Sequence, residues 1–92
     1  MKNPPREKRV LIFDDEGLGL LGKQLIAVRK QKKYSQEKLA LEAGLPLSQI
    51  GRIERAVVNP TVSTVFKIAR ALKVRPSELF DFELSKPKEG KP

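Results

Sequence analysis

The sequence predicts a small, mainly α-helical domain of five helices, and three features carry that expectation. Apolar residues recur at spacings of three and four through most of the chain, the period of a helix with one buried face. Capping and breaking residues cut the pattern into short segments: Ser35, Gly44, Pro46, Asn59-Pro60 and Pro76. Ninety-two residues are enough for one compact domain with a modest core, and too few to enclose a large active site as well.

Residues 1–8 contain Pro4, Pro5 and three cations with little to bury, and are expected to be a mobile basic arm. Residues 9–84 are expected to form the domain and 85–92 a mobile tail. Val10 to Phe13 is a short β-branched and aromatic run that favours a strand over Arg9 to Phe13. Asp14, Asp15 and Glu16 supply an acidic cap for a first helix, whose opening Gly17, Gly19 and Gly22 weaken. Leu18, Leu21, Leu25 and Val28 line one face of that helix, which should end near Lys33. Ser35 is suited to cap a second helix with Leu39 and Ala40 inward, and Gly44 to end it. Pro46 fits the first turn of a third helix, in which Ile50 and Ile53 face inward while Leu47, Ser48, Gly51 and Arg52 face outward. After Asn59-Pro60, Thr61 or Ser63 caps a fourth helix with the stripe Val65, Ile68, Ala69 and Leu72, and Pro76 opens a fifth holding Leu79 and Phe80. Phe80, Phe82 and Leu84 alternate with polar neighbours, the period of a half-buried strand able to pair with Arg9 to Phe13.

Charge narrows the function. Nineteen Lys plus Arg against eleven Asp plus Glu leave a net charge of +8, which suits a polyanionic partner: nucleic acid first, an anionic membrane second. No apolar run approaches the roughly twenty residues of a membrane span, and the amino end lacks the apolar stretch of a secretory signal, so the cytoplasm is expected. With no Cys and no His there is no disulfide or zinc site, and the commonest general base is missing. No catalytic residue, metal or cofactor is expected, and an enzyme is the remote alternative.

Two further signals weigh little. Gly17 to Gly22 satisfies the dinucleotide-binding glycine pattern after an expected strand, but three carboxylates stand where a pyrophosphate must approach and no second strand completes a βαβ unit. Val10 to Glu16 looks like the opening of a two-component receiver, yet the chain passes straight into helices.

Two short helices joined by a Gly-containing turn, as Ser35 to Arg55 are laid out, let the second project its outer face into a groove while the first braces it. Around them stand Leu25, Val28, Arg29, Ser35-Gln36-Glu37, Leu39-Ala40, Gly44-Leu45, Ile50, Arg52-Ile53-Glu54-Arg55 and Asn59-Pro60-Thr61. With Ile68-Ala69, Ala71-Leu72 and Glu78-Leu79, this register resembles the phage repressor and Cro family of helix-turn-helix proteins over about residues 22–80. The resemblance implies a five-helix, lambda-repressor-like domain in which helices two and three read double-stranded DNA. It also implies a homodimer on a two-fold symmetric operator, with reading helices about 34–36 Å apart.

Residue by residue, the resemblance implies that Leu47, Ser48, Gly51 and Arg52 face the bases, with Gln49 at the edge. Arg52 has the best donor fork for guanine, Leu47 suits a thymine methyl, and Gly51 offers no side chain. Gln36, Arg55, Asn59 and Thr61 match positions that hold the DNA backbone, and Gln36 often also orients a reading side chain. Arg29 and Glu54 match an ion pair joining helices one and three. Ala56 stands where the family commonly has Gly, which shifts the expected left-handed residue towards Asn59. Lys30, Lys32 and Lys33 would strengthen DNA binding and its salt dependence. The reading that follows is a repressor-type transcriptional regulator. The alternative, motivated by the possible terminal sheet, is an antitoxin whose terminal arms bind a toxin protein while the domain represses its own promoter.

Overall fold

The computed structural model describes residues 12–87. Five helices follow in order: α1 Asp15–Gln31, α2 Gln36–Ala43, α3 Leu47–Glu54, α4 Val62–Leu72 and α5 Pro76–Leu79. The expected arm at 1–8, most of the expected strand at Arg9 to Phe13 and the last residues of the expected tail lie outside the described residues.

The core forms where the apolar stripes meet. Leu21, Leu25 and Val28 of α1, Leu39, Ala40 and Ala43 of α2, Ile50 and Ile53 of α3, Val65, Ile68, Ala69 and Leu72 of α4, and Leu79 of α5 are all buried. Helix α3 is held between α1 and α2, α4 packs on α2, and α5 closes the bundle against α1 and α4.

Side-chain caps start three of the helices as the sequence suggests: Asp14 accepts from Gly17 N–H, Ser35 from Lys38 N–H and Thr61 from Thr64 N–H. The glycines do not interrupt α1, which runs unbroken through Gly17, Gly19 and Gly22. It ends at Gln31, two residues before Lys33, and Pro46 caps α3 from outside instead of occupying its first turn.

Four helices end in one hydrogen-bond pattern. After α2, Gly44 N–H donates to Leu41 O and Leu45 N–H to Ala40 O, at 3.2 and 2.9 Å, with Gly44 left-handed at φ 68°. The same pair of bonds recurs at Lys33-Tyr34, Ala56-Val57 and Lys73-Val74, with Lys33, Ala56 and Lys73 at φ 63°, 61° and 60°. The left-handed turn after α3 therefore exists and Ala56 carries it, whereas Asn59 keeps a negative φ.

No strand occurs among the described residues, so the terminal sheet is not formed by them. Phe80 to Leu84 is irregular: Phe82 is half-buried against the core, its ring tilted on that of Phe80, while Phe80 and Leu84 stay exposed. Side chains tie this tail down in place of a partner strand, for Ser85 donates from N–H and hydroxyl to the Glu16 carboxylate and Gln24 donates to Glu78 O.

Candidate nucleic-acid interface

Helix α3 presents its outer side to solvent because the inner side is fully committed. Ile50 and Ile53 are 0% and 2% exposed, while Ser48 and Arg52, one turn apart on the opposite side, are exposed and Leu47 is 44% exposed. Gln49 is half-buried at the edge. No side-chain hydrogen bond among the described residues engages Ser48, Gln49 or Arg52, so their donors and acceptors are free for a ligand. The one carboxylate of the helix, Glu54, points inward.

A shallow depression of about 300 Å³ lies between α3 and the loop into α4, lined by Pro46, Ser48, Gln49, Arg52, Asn59, Thr61 and Thr64 among others. It brings the expected base-reading residues Ser48, Gln49 and Arg52 together with the expected backbone residues Asn59 and Thr61. Thr64 joins them unforeseen; its hydroxyl lies 3.1 Å from that of Thr61, and the only sequence signal was its position three residues after the cap. Asn59 donates its amide to Ile12 O at 3.1 Å.

Gly51 does not face solvent freely as expected. It is buried, and a methyl group built on it would stand 3.0 Å from an Arg55 guanidinium nitrogen, so Arg55 folds back over the glycine and supplies the surface there. Arg52 on α3 and Arg55 at its carboxyl-terminal cap are thus two exposed cations.

Behind this face lies a polar network. Arg29 Nε and Nη2 donate to the two Glu54 oxygens at 2.6 and 3.1 Å, and Arg29 Nη1 donates to Tyr34 O at 2.9 Å. Only 11% of the Arg29 side chain and 5% of the Glu54 side chain are exposed. Gln36 Nε2 donates to Glu54 Oε1 at 2.8 Å. The expected ion pair is therefore present and bidentate. Gln36, expected at the phosphates, braces the pair with one donor and keeps its amide oxygen and second hydrogen. Every buried side-chain polar atom among the described residues has a partner, which keeps such a network from destabilising the core. Beside it, the Tyr34 hydroxyl donates to Glu42, which raises the phenol above its ordinary pKa, and the Lys38 ammonium lies 4.2 Å above the ring.

One contact escaped the sequence altogether. A methyl group on Gly22 would stand 2.6 Å from Glu54 O and 2.8 Å from Ile53 O, so the missing side chain is what lets α1 touch the end of α3.

The helix-turn-helix family model HTH_3 matches residues 25–79, more than half of the chain. The chain belongs to this helix-turn-helix family. Among its relatives, the HTH-type transcriptional regulator SlrR of Bacillus subtilis is 40% identical over 65 residues, which are 70% of this chain and 43% of SlrR. The control protein C.BamHI of Bacillus amyloliquefaciens is 41% identical over 64 residues, 68% of this chain and 79% of that protein. The chain thus spans less than half the length of SlrR but most of C.BamHI. The crystal structure of the restriction-modification controller C.AhdI from Aeromonas hydrophila superposes with a TM-score of 0.67 at 40% identity, covering 68% of this chain and 96% of the other. The matched range takes in α2 and α3 whole, and Ser48 and Arg52 lie on the outer side of α3.

Proposed function

We propose that this chain is a transcriptional regulator of the repressor type that binds double-stranded DNA sequence-specifically, as a homodimer, with α3 in the major groove. The observation that carries the proposal is the outward face of α3, whose polar side chains are unengaged while the buried Arg29–Glu54–Gln36 network fixes the helix from behind. The names of SlrR and of the control proteins point the same way.

In this reading Arg52 donates its fork to guanine O6 and N7, worth about 1–3 kcal/mol against a wrong base. Ser48 and Gln49 contact neighbouring base edges, and Leu47 a thymine methyl. Arg55, Asn59, Thr61 and the remaining amide groups of Gln36 hold phosphates, helped by the amino ends of α2 and α4, whose free N–H groups favour anions. Gly51, covered by Arg55, reads nothing directly. Two copies related by a two-fold axis place the reading helices one DNA turn apart, about 34–36 Å.

Selection of bound fragments from genomic or random duplexes tests the proposal: one palindromic motif is expected, and a featureless pool contradicts it. The antitoxin alternative was motivated by a possible terminal sheet, and Phe80 to Leu84 forms no strand to support it.

A further inference from the structure

The stretch after α5 lies across the start of α1: a methyl group on Gly17 would stand 3.6 Å from Leu84, and Ser85 donates to Glu16. Where the two meet there is a groove of about 340 Å³, lined by Leu18, Leu21, Phe80, Phe82, Leu84 and Asp14 among others. Small-molecule sites run from about 300 to 1,000 Å³ and pair apolar walls with a few polar groups, so this groove is large enough for a small ligand. Charge decides which kind. Residues 12–22 and 76–84 supply all of the lining except Asn59. They carry Asp14, Asp15, Glu16, Glu78, Asp81 and Glu83, six of the chain's eleven acids, and none of its nineteen Lys and Arg. Three of these acids are committed: Asp14 to Gly17 N–H, Glu16 to Ser85 and Glu78 to Arg75 N–H. Asp15, Asp81 and Glu83 are exposed and make no side-chain hydrogen bond among the described residues. The exposed Phe80 ring, 6.3 Å from that of Phe82 and tilted on it by 52°, adds an aromatic face that attracts cations.

We propose that this groove is an effector site for a small amphipathic cation, an amine with an aryl or alkyl body, and that its occupation weakens DNA binding. The apolar body lies against Leu18, Leu21 and Phe82, and the ammonium stays at the acidic rim. The link to DNA runs through Asn59, the one residue that lines both this groove and the depression beside Ser48 and Arg52. Its amide is held by Ile12 O at 3.1 Å, and Ile12 also lines the groove. A ligand resting on both residues competes with the bond between them and turns Asn59 away from the direction in which that bond holds it. The regulatory half of the inference rests on the DNA-binding reading above, whereas ligand binding does not. By reciprocity, DNA lowers the affinity for the cation by the same factor as the cation lowers that for DNA.

Three probes share one skeleton and differ in charge: 4-phenylbutylamine, 4-phenylbutanol and 4-phenylbutyrate. Each is titrated into the full chain at pH 7 without DNA, and backbone amide shifts are followed by nuclear magnetic resonance. The amine is expected to move Gly17, Leu18, Phe82 and Leu84 and to bind roughly fivefold tighter than the alcohol, the upper end for an exposed ion pair, with the carboxylate weakest. A variant carrying Asp15→Asn, Asp81→Asn and Glu83→Gln should bind amine and alcohol equally, and Phe80→Ala should weaken both. Equal binding of amine and alcohol by the unaltered chain overturns the inference, and so do shifts confined to other residues. If raising the protein concentration alone moves the same amides, a second copy occupies the groove and the proposal falls. Anisotropy titration of the selected duplex then tests the link: saturating amine should weaken binding about fivefold, the lower end of allosteric couplings. An unchanged duplex affinity overturns the regulatory half, as does equal weakening of the neutralised variant, which marks a plain salt effect. A chain that binds the amine but no duplex sinks the DNA-binding reading instead.

Discussion

Two glycines three residues apart on α1 should answer the same mutation with opposite signs. At Gly22 an added methyl group meets the Glu54 carbonyl oxygen at 2.6 Å and that of Ile53 at 2.8 Å. The shorter distance is about 0.7 Å below the ~3.3 Å at which carbon ordinarily meets a carbonyl oxygen. Both obstacles are backbone at the end of α3, so no side chain can swing aside and α1 must move away from α3. That shift strains the Arg29–Glu54 pair, which spans the same two helices. Overpacking of this kind costs about 1–3 kcal/mol, against a gain of about 0.5–1 kcal/mol from replacing Gly by Ala inside a helix. Gly22→Ala is therefore expected to lose about 1–2 kcal/mol, a fall in melting temperature of about 4–8 °C for each kcal/mol. At Gly19 the same methyl group meets nothing within 4 Å, so Gly19→Ala keeps only the helix gain and melts higher. Urea and thermal unfolding followed by far-ultraviolet circular dichroism measure both. Equal stabilisation by the two substitutions refutes the close approach of α1 to α3.

Further outcomes follow from the site and the helix ends. Glu54→Ala leaves the Arg29 guanidinium buried without its partner and should cost about 3–5 kcal/mol in urea unfolding; a loss below 1 kcal/mol would show that water reaches the pair. Arg52→Ala should relax base preference by about 1–3 kcal/mol at one position of the selected motif with little change in stability. Gln36→Ala should weaken matched and mismatched sites alike and lose about 1 kcal/mol of stability with its bond to Glu54; identical binding profiles for these two variants would defeat the division between reading and bracing. Ala56→Gly, Lys33→Gly and Lys73→Gly each relieve a left-handed residue costing about 1–2 kcal/mol and return part of it as chain entropy, so each should raise stability by about 0.5–1 kcal/mol, and a lowered urea midpoint contradicts the strain.

Much of the fold was legible because the caps and stripes of the sequence agree with the packing. Ser35, Gly44 and Thr61 act where they were expected, and Ile50 with Ile53 decides which side of α3 faces out. What was misread has physical causes. A two-residue alternation such as Phe80, Phe82, Leu84 records only that every second side chain approaches something apolar, and an irregular segment lying along a bundle satisfies that as well as a strand does. A left-handed Ala56 carries no compositional mark, since the strain is imposed by the hydrogen bonds of the turn and tolerated by the surrounding packing. Gly22 resembles a weak point until the neighbouring helix is in place. The bond from Gln36 to Glu54 joins residues eighteen apart, and nothing local in either one announces it.

The division of labour on α3 bears on how such a domain can diversify. Its interior side, Ile50, Ile53 and Glu54, carries the attachment to the rest of the molecule, while the side chains of Ser48, Gln49 and Arg52 make no hydrogen bond among the described residues. If α3 reads DNA as proposed, exchanging those three side chains changes what sequence is recognised at little cost to the scaffold, and duplicated copies of such a domain can drift apart in target while remaining equally well folded.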